Sequence, residues 1–192
     1  LPVWEHNVQI DSLDLMSFGS LYTTPFLTSD GNGGAYVMWQ SFFVSETGGR
    51  PTTYVNRLFA DGTIWFAGGY SVSQSTGNYH AEAQMEFIED VEKLMVCWQE
   101  YHFDEINQID CWGIYGQLFD SQGQYLWDEN GHEIIPLLCS EDTSYSSIRL
   151  GKSTNNNAVI TFQKDYFSIE GSDSSLVSNV YALSLDLGGE MT

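Results

Sequence analysis

Basic residues are scarce in this sequence, and their scarcity argues against several classes of function. The 192 residues include 6 Lys and Arg against 26 Asp and Glu, a formal net charge of −20. Nucleic-acid binding is disfavoured because Lys and Arg are needed to displace counterions from phosphates. Adsorption to anionic membranes is disfavoured for the same reason. The simpler interpretation of the acidic excess is a solvated surface, and the alternative is that some carboxylates bind Ca²⁺.

Long apolar runs and start signals are also missing. No apolar run approaches the roughly 20 residues that cross a bilayer, so we do not expect a membrane-spanning protein. The first five residues, LPVWE, contain neither a Met nor a charged segment ahead of an apolar one. We therefore expect the chain to be a mature or excised piece of a longer protein.

Cysteine is limited to three residues, Cys97, Cys111 and Cys139, whose spacings match no zinc signature. Cys97 and Cys111 flank a predicted hairpin and would form a disulfide if the register of the strands allowed it. The alternative is that the thiols are free and buried. Cysteine usage therefore leaves the redox compartment open.

Aromatic residues are abundant, and they recur with a regular period. They make up 15% of a chain that is 42% hydrophobic, a globular composition. Three apolar segments end in an aromatic residue followed by Gln: 33–40 (GGAYVMWQ), 93–99 (KLMVCWQ) and 157–163 (NAVITFQ). A second landmark, a glycine turn followed by Trp, occurs at 58–65 and 118–127, with a weaker copy at 184–190. Trp4 lies one period before Trp65. Two landmarks in phase indicate an internal repeat of roughly 60 residues.

The local pattern within each repeat is that of β-strands. Short runs rich in Val, Ile, Tyr, Phe and Trp alternate with Gly, Asn, Asp and Ser clusters. In the second repeat, strands are predicted at 81–87, 93–101, 111–119 and 125–137, with a longer loop at 102–110. Apolar side chains on both faces of 93–99 indicate a strand packed between two sheets. We therefore predict an all-β fold, a β-propeller of about three four-stranded antiparallel blades.

The repeat divides the single predicted domain into blades. Residues 1–12 are predicted to be the last strand of a preceding or closing blade, 13–75 and 76–140 to be blades, and 141–192 to be a partial blade. Propellers typically have 4–8 blades, so three do not close a ring. We expect further blades, either from the same chain as part of a longer protein or from another copy that completes the ring.

The repeat also resembles a known family. Residues 29–40 (SDGNGGAYVMWQ) and 61–65 (DGTIW), with their counterparts around Trp98, 114–120 and Trp127, resemble the Trp-rich β-propeller repeats of proteins secreted by Bacteroidota. The resemblance covers nearly the whole chain and implies export, commonly by the type IX route. The glycine turns also look like the Asp-box hairpins of sialidases, although 120–127 lacks the Ser and Thr of that motif. That likeness implies architecture and not catalysis.

Few residues indicate a metal site or catalysis. Asp30 and Asn32 alternate in a Gly-rich turn and are the candidate Ca²⁺ ligands, but no ligand ladder ending in Glu follows them. The simpler interpretation is a structural turn. A glycoside hydrolase needs two carboxyl groups about 5–10 Å apart, and the sequence does not single out a pair. No nucleophile elbow or metal-spaced His pair is present.

Aromatic residues at strand ends are the candidate binding residues. Trp112, Tyr101, Phe103 and Tyr166, with Phe167, lie where strand gives way to loop, and exposed rings of this kind contact sugars or protein partners. The alternative is that each packs in the core. We predict an extracellular or cell-surface binding or scaffold module whose partner is a protein or a glycan. The alternatives are a fragment of a propeller-type carbohydrate-active hydrolase and a structural protein of a surface assembly.

Overall fold

The computed structural model describes residues 7–10, 21–22, 25–43, 50–75, 79–153, 155, 157–170 and 173–189. These residues form β-strands and one short 3₁₀ turn, Glu89–Val91. In this part of the chain, no helix has the length and apolar character that a bilayer crossing requires.

The strands form three antiparallel sheets that follow one another along the chain. The first sheet contains β1 (Leu21–Tyr22), β2 (Phe26–Ser29), β3 (Ala35–Phe43), β4 (Arg50–Leu58) and β5 (Tyr70–Ser71). The second contains β6 (Tyr79–Ile88), β7 (Lys93–Asp104), β8 (Ile109–Phe119) and β9 (His132–Cys139). The third contains β10 (Thr143–Lys152), β11 (Ala158–Glu170) and β12 (Asp173–Leu185). Strands β1 and β2 pair in succession along the same edge of β3, so the first sheet has four strand positions.

The all-β prediction is confirmed, and several predicted strand bounds are corrected. The fourth strand of the second sheet begins at His132 and not at Tyr125, because the hairpin after β8 continues through a turn that ends at Gly131. The predicted 102–110 loop shrinks to four residues, since β7 extends to Asp104 and β8 begins at Ile109. Residues 7–10 lie outside any strand, and 1–6 lie outside the described residues. A terminal strand there stays a prediction.

The second sheet is buried on both faces, as its apolar alternation predicts. Leu94, Val96 and Trp98 pack with side chains of the first sheet, including Met38. Met95 and Cys97 point the other way and pack with side chains of the third sheet, including Ile160. Burying each of these large side chains contributes roughly 1.5–3 kcal/mol. The two faces of the second sheet therefore hold all three sheets in one stack.

The Gln of the first landmark connects each sheet to the next. Gln40 Nε2 donates to the His80 carbonyl on β6 at 3.0 Å. The Gln99 amide likewise donates to the Tyr145 carbonyl on β10. Each Gln therefore satisfies a main-chain acceptor in the first strand of the following sheet, which accounts for the recurrence of the aromatic–Gln pair.

The Trp of the second landmark makes an equivalent link between hairpins. Trp65 Nε1 donates to the Ser121 carbonyl at 3.2 Å, and Trp127 Nε1 donates to the Leu187 carbonyl at 3.3 Å. Both acceptors are the second residue of a glycine turn. By main-chain hydrogen bonding, the counterpart of Trp65 is Leu126 and not Trp127. Trp65 N donates to Arg57 O, and Leu126 N donates to Leu118 O. Trp127 therefore lies one residue further along the chain than Trp65 does, yet its indole donates to the corresponding carbonyl of the next hairpin.

Candidate functional site

Residues of the second and third sheets form a groove of about 510 Å³ at the end where β7 and β8 are joined. We call it the disulfide-end groove. It is lined by Phe103, Gln108, Ile109, Asp110, Trp112, Ser140, Glu141, Asp142, Thr143, Ser144, Asp165, Phe167 and Leu176.

A disulfide between Cys111 and Cys139 ties together the strands beneath this groove. The two residues are directly opposite each other on β8 and β9. The Cys97–Cys111 pairing considered from the sequence is wrong, because Cys97 lies opposite Gly116 and is a free, buried thiol. Burial raises the pKa of Cys97 to about 12, so its thiol is unreactive in the folded protein.

Two of the four predicted binding aromatics line one wall of the groove, and a third packs against that wall. Trp112 and Phe103 line it, and Phe103 is 38% exposed. Tyr101 lies directly opposite Trp112 on β7 and supports it, with the ring centroids 4.5 Å apart. Because side chains alternate along a strand, Tyr101 and Phe103 share one face of β7. The wall therefore consists of rings held in place by the β7–β8 register.

The opposite wall comes from the hairpin of the third sheet, which the sequence did not single out. Phe167 and Leu176 are paired across β11 and β12 and are 51% and 60% exposed. The fourth predicted residue, Tyr166, does not line the groove, and its hydroxyl contacts Asn179 Nδ2 at 3.5 Å. The signal that would have identified this wall is the register of the β11–β12 hairpin, whose two strands have 13 residues each. Alternation along β11 places Phe167 and Tyr166 on opposite faces.

The groove is acidic, and its lining, as far as the structure describes the chain, contains no Lys or Arg. The Tyr101 hydroxyl donates to Asp110 Oδ1 at 2.7 Å. Burial, together with this hydrogen bond, raises the pKa of Tyr101 to about 12. Hydrogen bonds from Ser178 and Gln163 lower the pKa of Asp165. Both hydrogen-bonded carboxylates are thus fixed as acceptors at the edge of an aromatic surface.

A second groove, of about 410 Å³, lies where the first strands of the sheets approach one another. We call it the inner groove. Its lining residues are Phe26, Gln40, Glu82, Ala83, Gln84, Ser147 and Arg149. Among the described residues, Glu82 is the one carboxylate in that lining, and its Oε2 accepts a hydrogen bond from Ile148 N at 3.1 Å. The described lining therefore contains no pair of carboxylates for glycoside hydrolysis.

The predicted Ca²⁺ ligands lie in a turn whose carboxylate is already bonded. Asp30 is buried, and Oδ2 accepts from Arg57 Nη2 at 2.8 Å and from Nε at 3.0 Å. Oδ1 accepts from the backbone N–H groups of Asn32 and Gly34. Burial alone would raise the pKa of Asp30, but these hydrogen bonds outweigh it and lower the pKa. Ca²⁺ binding stays a prediction, and it would require Asp30 to give up its contacts with Arg57.

A buried polar cluster lies between the first and second sheets. Thr53 N donates to His80 Nδ1 at 3.4 Å, so the proton of neutral His80 is on Nε2, which lies 3.6 Å from Glu100 Oε2. Trp98 Nε1 donates to the same Glu100 oxygen. Burial lowers the pKa of His80 to about 4. Among the residues that the structure describes, no three or more His, Cys, Asp or Glu side chains form a group able to hold a metal.

Comparison with known proteins identifies no family. No protein-family model matches the chain, and no curated protein matches it. Among solved structures, the chain is similar to MPT-4, a mannose phosphorylase from Leishmania mexicana in complex with phosphate ion, with 9% sequence identity and a TM-score of 0.29. The alignment covers 88% of this chain and 65% of that protein. A likeness at this TM-score carries no argument about fold or function.

Proposed function

We propose that the three sheets are neighbouring blades of a β-propeller and that the protein is a non-catalytic binding module. The propeller is supported by the stacking of the sheets, with β6 in contact with both β4 and β10. It is also supported by the two inter-sheet links that recur at Gln40 and Gln99 and at Trp65 and Trp127. The predicted boundaries between blades, at 75/76 and 140/141, are part of this proposal.

The module acts outside the cytoplasm. The disulfide between Cys111 and Cys139 supports this location, because structural disulfides persist in oxidising compartments. The acidic surface, with a formal net charge of −20, is consistent with a soluble extracellular or cell-surface protein.

The ligand we propose for the disulfide-end groove is a neutral glycan. The observation that carries this proposal is the combination of half-exposed rings with fixed carboxylates in a concave site. The apolar face of a sugar ring packs on Trp112 and Phe103, while Asp110 and Asp165 accept hydrogen bonds from sugar hydroxyls. Sialylated or sulfated glycans are disfavoured, since none of the described lining residues is a cation that could pair with them.

The test is a glycan array that contains neutral, sialylated and sulfated oligosaccharides, followed by calorimetric titration with the neutral oligosaccharides that bind. Phe103→Ala and Trp112→Ala are expected to weaken binding about tenfold or more, since a well-placed ring contributes more than about 1 kcal/mol. Phe66→Ala is the matched control, because it removes a ring of similar exposure, 46%, outside the groove.

Two outcomes would overturn the glycan proposal. One is an array on which no neutral glycan binds. The other is a Phe103→Ala variant that binds the same oligosaccharide as tightly as the Phe66→Ala control. Phe103 is the sharper probe because its exposed ring can be removed without opening a cavity in the core.

Glycoside hydrolysis in the same groove is the second candidate, and the number of carboxylates favours it. Asp110, Glu141, Asp142 and Asp165 all line the groove. Release of reducing ends from a bound neutral oligosaccharide, abolished by Glu141→Gln or Asp142→Asn, would establish this alternative. Binding without release is the result expected of the non-catalytic module.

A further inference from the structure

The outer face of the third sheet has the same feature as the faces by which the first and second sheets contact the next sheet along the chain. In the first and second sheets, Gln40 and Gln99 lie on the face that points towards the next sheet, and their amides donate to carbonyls on it. Gln163 occupies the matching position on β11, directly after Phe162. Phe162 packs towards the second sheet, so alternation places Gln163 on the opposite, outer face.

Exposed apolar side chains share the outer face of the third sheet with Gln163. Val180, its cross-strand partner, is 78% exposed. Phe167 and Leu176 lie further along the same face. Gln163 Nε2 donates to Asp165 Oδ1 of its own strand at 2.8 Å. The donor that links sheets elsewhere is thus present here, beside an apolar side chain, Val180, that faces solvent.

The first sheet has the matching acceptor position. In both observed links, the acceptor carbonyl lies on the first strand of the receiving sheet. It belongs to the residue that is the cross-strand partner of the residue directly after that sheet's own Gln. His80 pairs with Glu100, and Tyr145 pairs with Lys164. In the first sheet, Tyr22 pairs with Ser41, the residue after Gln40.

The face of the first sheet that would receive this contact also resembles that of the second. Trp39 precedes Gln40 as Trp98 precedes Gln99, so the two tryptophans occupy matching positions of their sheets. Trp98 Nε1 donates to Glu100, whereas Trp39 Nε1 is buried without a hydrogen-bond partner among the described residues.

From this repetition we propose that the outer face of the third sheet binds the first sheet of a second copy of this chain. Gln163 of one copy then donates to the Tyr22 carbonyl of the other, as Gln99 donates to Tyr145. The contact joins different surfaces of the two copies, so it must close a ring or extend into a filament. This step rests on the propeller proposed above: the three described sheets from each of two copies would make six, which is within the range of 4–8 blades that form closed propellers. The species expected of this 192-residue chain in solution is therefore a closed dimer.

The net charge of the chain predicts how the affinity of this dimer depends on salt concentration. Each copy carries a formal net charge of −20, so two copies repel each other at low ionic strength. Salt screens that repulsion over a Debye length of about 10 Å at 0.1 M. Dimerisation through this apolar face should therefore strengthen as salt is added, unlike an association held by ion pairs.

The test is sedimentation velocity of the full chain at about 1–100 μM, a range chosen for micromolar affinity, and at several salt concentrations. We expect conversion from 21.6 kDa to twice that mass with rising concentration. Val180→Asp and Gln163→Ala should each weaken the dimer about tenfold or more. Ile106→Asp is the matched control, since it introduces the same charge at a loop residue that is 92% exposed.

A monomer at every concentration and salt would overturn the proposal. So would a dimer that Val180→Asp weakens no more than Ile106→Asp does, or an open polymer in place of a closed pair. Val180 does not line the disulfide-end groove, and Phe103 lies on the second sheet. Val180→Asp and Phe103→Ala therefore test the dimer and the glycan site separately, whereas Gln163→Ala also removes a hydrogen bond to Asp165 in the groove.

Discussion

Individual glycines determine how closely the hairpins approach the large tryptophans. Gly131 has φ of +92° and lies against Trp98, where an added Cβ would be 2.7 Å from Cη2. Gly69 has the same relation to Trp39, at 2.4 Å. Both glycines combine a left-handed backbone conformation with a close approach to an indole ring. They allow the turn after the hairpin to cover the tryptophan.

Replacing Gly131 with Ala should therefore destabilise the protein by more than about 2 kcal/mol. The left-handed conformation alone costs an L-residue roughly 1–2 kcal/mol, and the contact with Trp98 adds to it. Gly151→Ala is the control, because Gly151 has no positive φ and an added Cβ there would meet nothing within 4 Å. Denaturant unfolding measures both free energies. Equal effects of the two substitutions would contradict the assigned role of Gly131.

At the scale of elements, the β8–β9 ladder determines which cysteines pair. Its register places Cys111 opposite Cys139, and the register shifts between Trp112 and Tyr115 bring it there. The disulfide closes a loop with a sequence separation of 28. By the chain-entropy relation, such a loop stabilises the folded protein by about 3–4 kcal/mol.

The disulfide predicts how many thiols react under each condition. Folded protein without reductant should react with no equivalents of Ellman's reagent, because Cys97 is fully buried and burial raises its pKa to about 12. One equivalent should react in denaturant, and three after reduction. If Cys97 were bonded to Cys111, the remaining thiol would be Cys139, which is exposed and would react in the folded protein. One fast equivalent without denaturant would therefore refute the assignment.

The elements also show how much the sequence could predict. The β-strand character and the two-sided burial of 93–99 follow from short-range alternation, and the structure confirms both. The bounds of the fourth strand and of the 102–110 loop do not follow from it and are corrected by the structure. The pairing of Cys111 with Cys139 depends on register shifts between strands, which composition does not encode. The same limit applies to the groove. Trp112 and Phe103 could be found as aromatics at strand ends, but Leu176 joins them only through the register of the β11–β12 hairpin.

At the scale of the whole molecule, the junction between the first and second sheets contains a buried titratable group. His80 is 2% exposed and neutral, in contact with Thr53 N on one side and near Glu100 on the other. The molecule has one core cluster on each face of the second sheet, so loosening this junction weakens one of the two contacts that hold the stack together. The stability of the whole should therefore depend on the protonation of this residue.

The direction of that dependence follows from the lowered pKa of His80. Its pKa is about 4 in the folded protein, against 6.5 for an unperturbed His. Between these values the unfolded chain binds a proton that the folded protein does not, so stability falls as the pH falls from about 6.5 towards 4. The loss attributable to His80 between pH 7.5 and pH 5 is about 2 kcal/mol.

His80→Gln isolates this contribution, because the Gln side chain can still accept the hydrogen bond from Thr53 N and does not titrate. The free energy of unfolding of both proteins should be measured at pH 7.5 and at pH 5. We expect the unsubstituted protein to lose about 2 kcal/mol more than the variant over this interval. Equal losses would mean that the nearby Glu100 carboxylate compensates for burial and keeps the pKa of His80 near its ordinary value. A smaller loss in the unsubstituted protein would mean that the Glu100 carboxylate outweighs burial and raises that pKa.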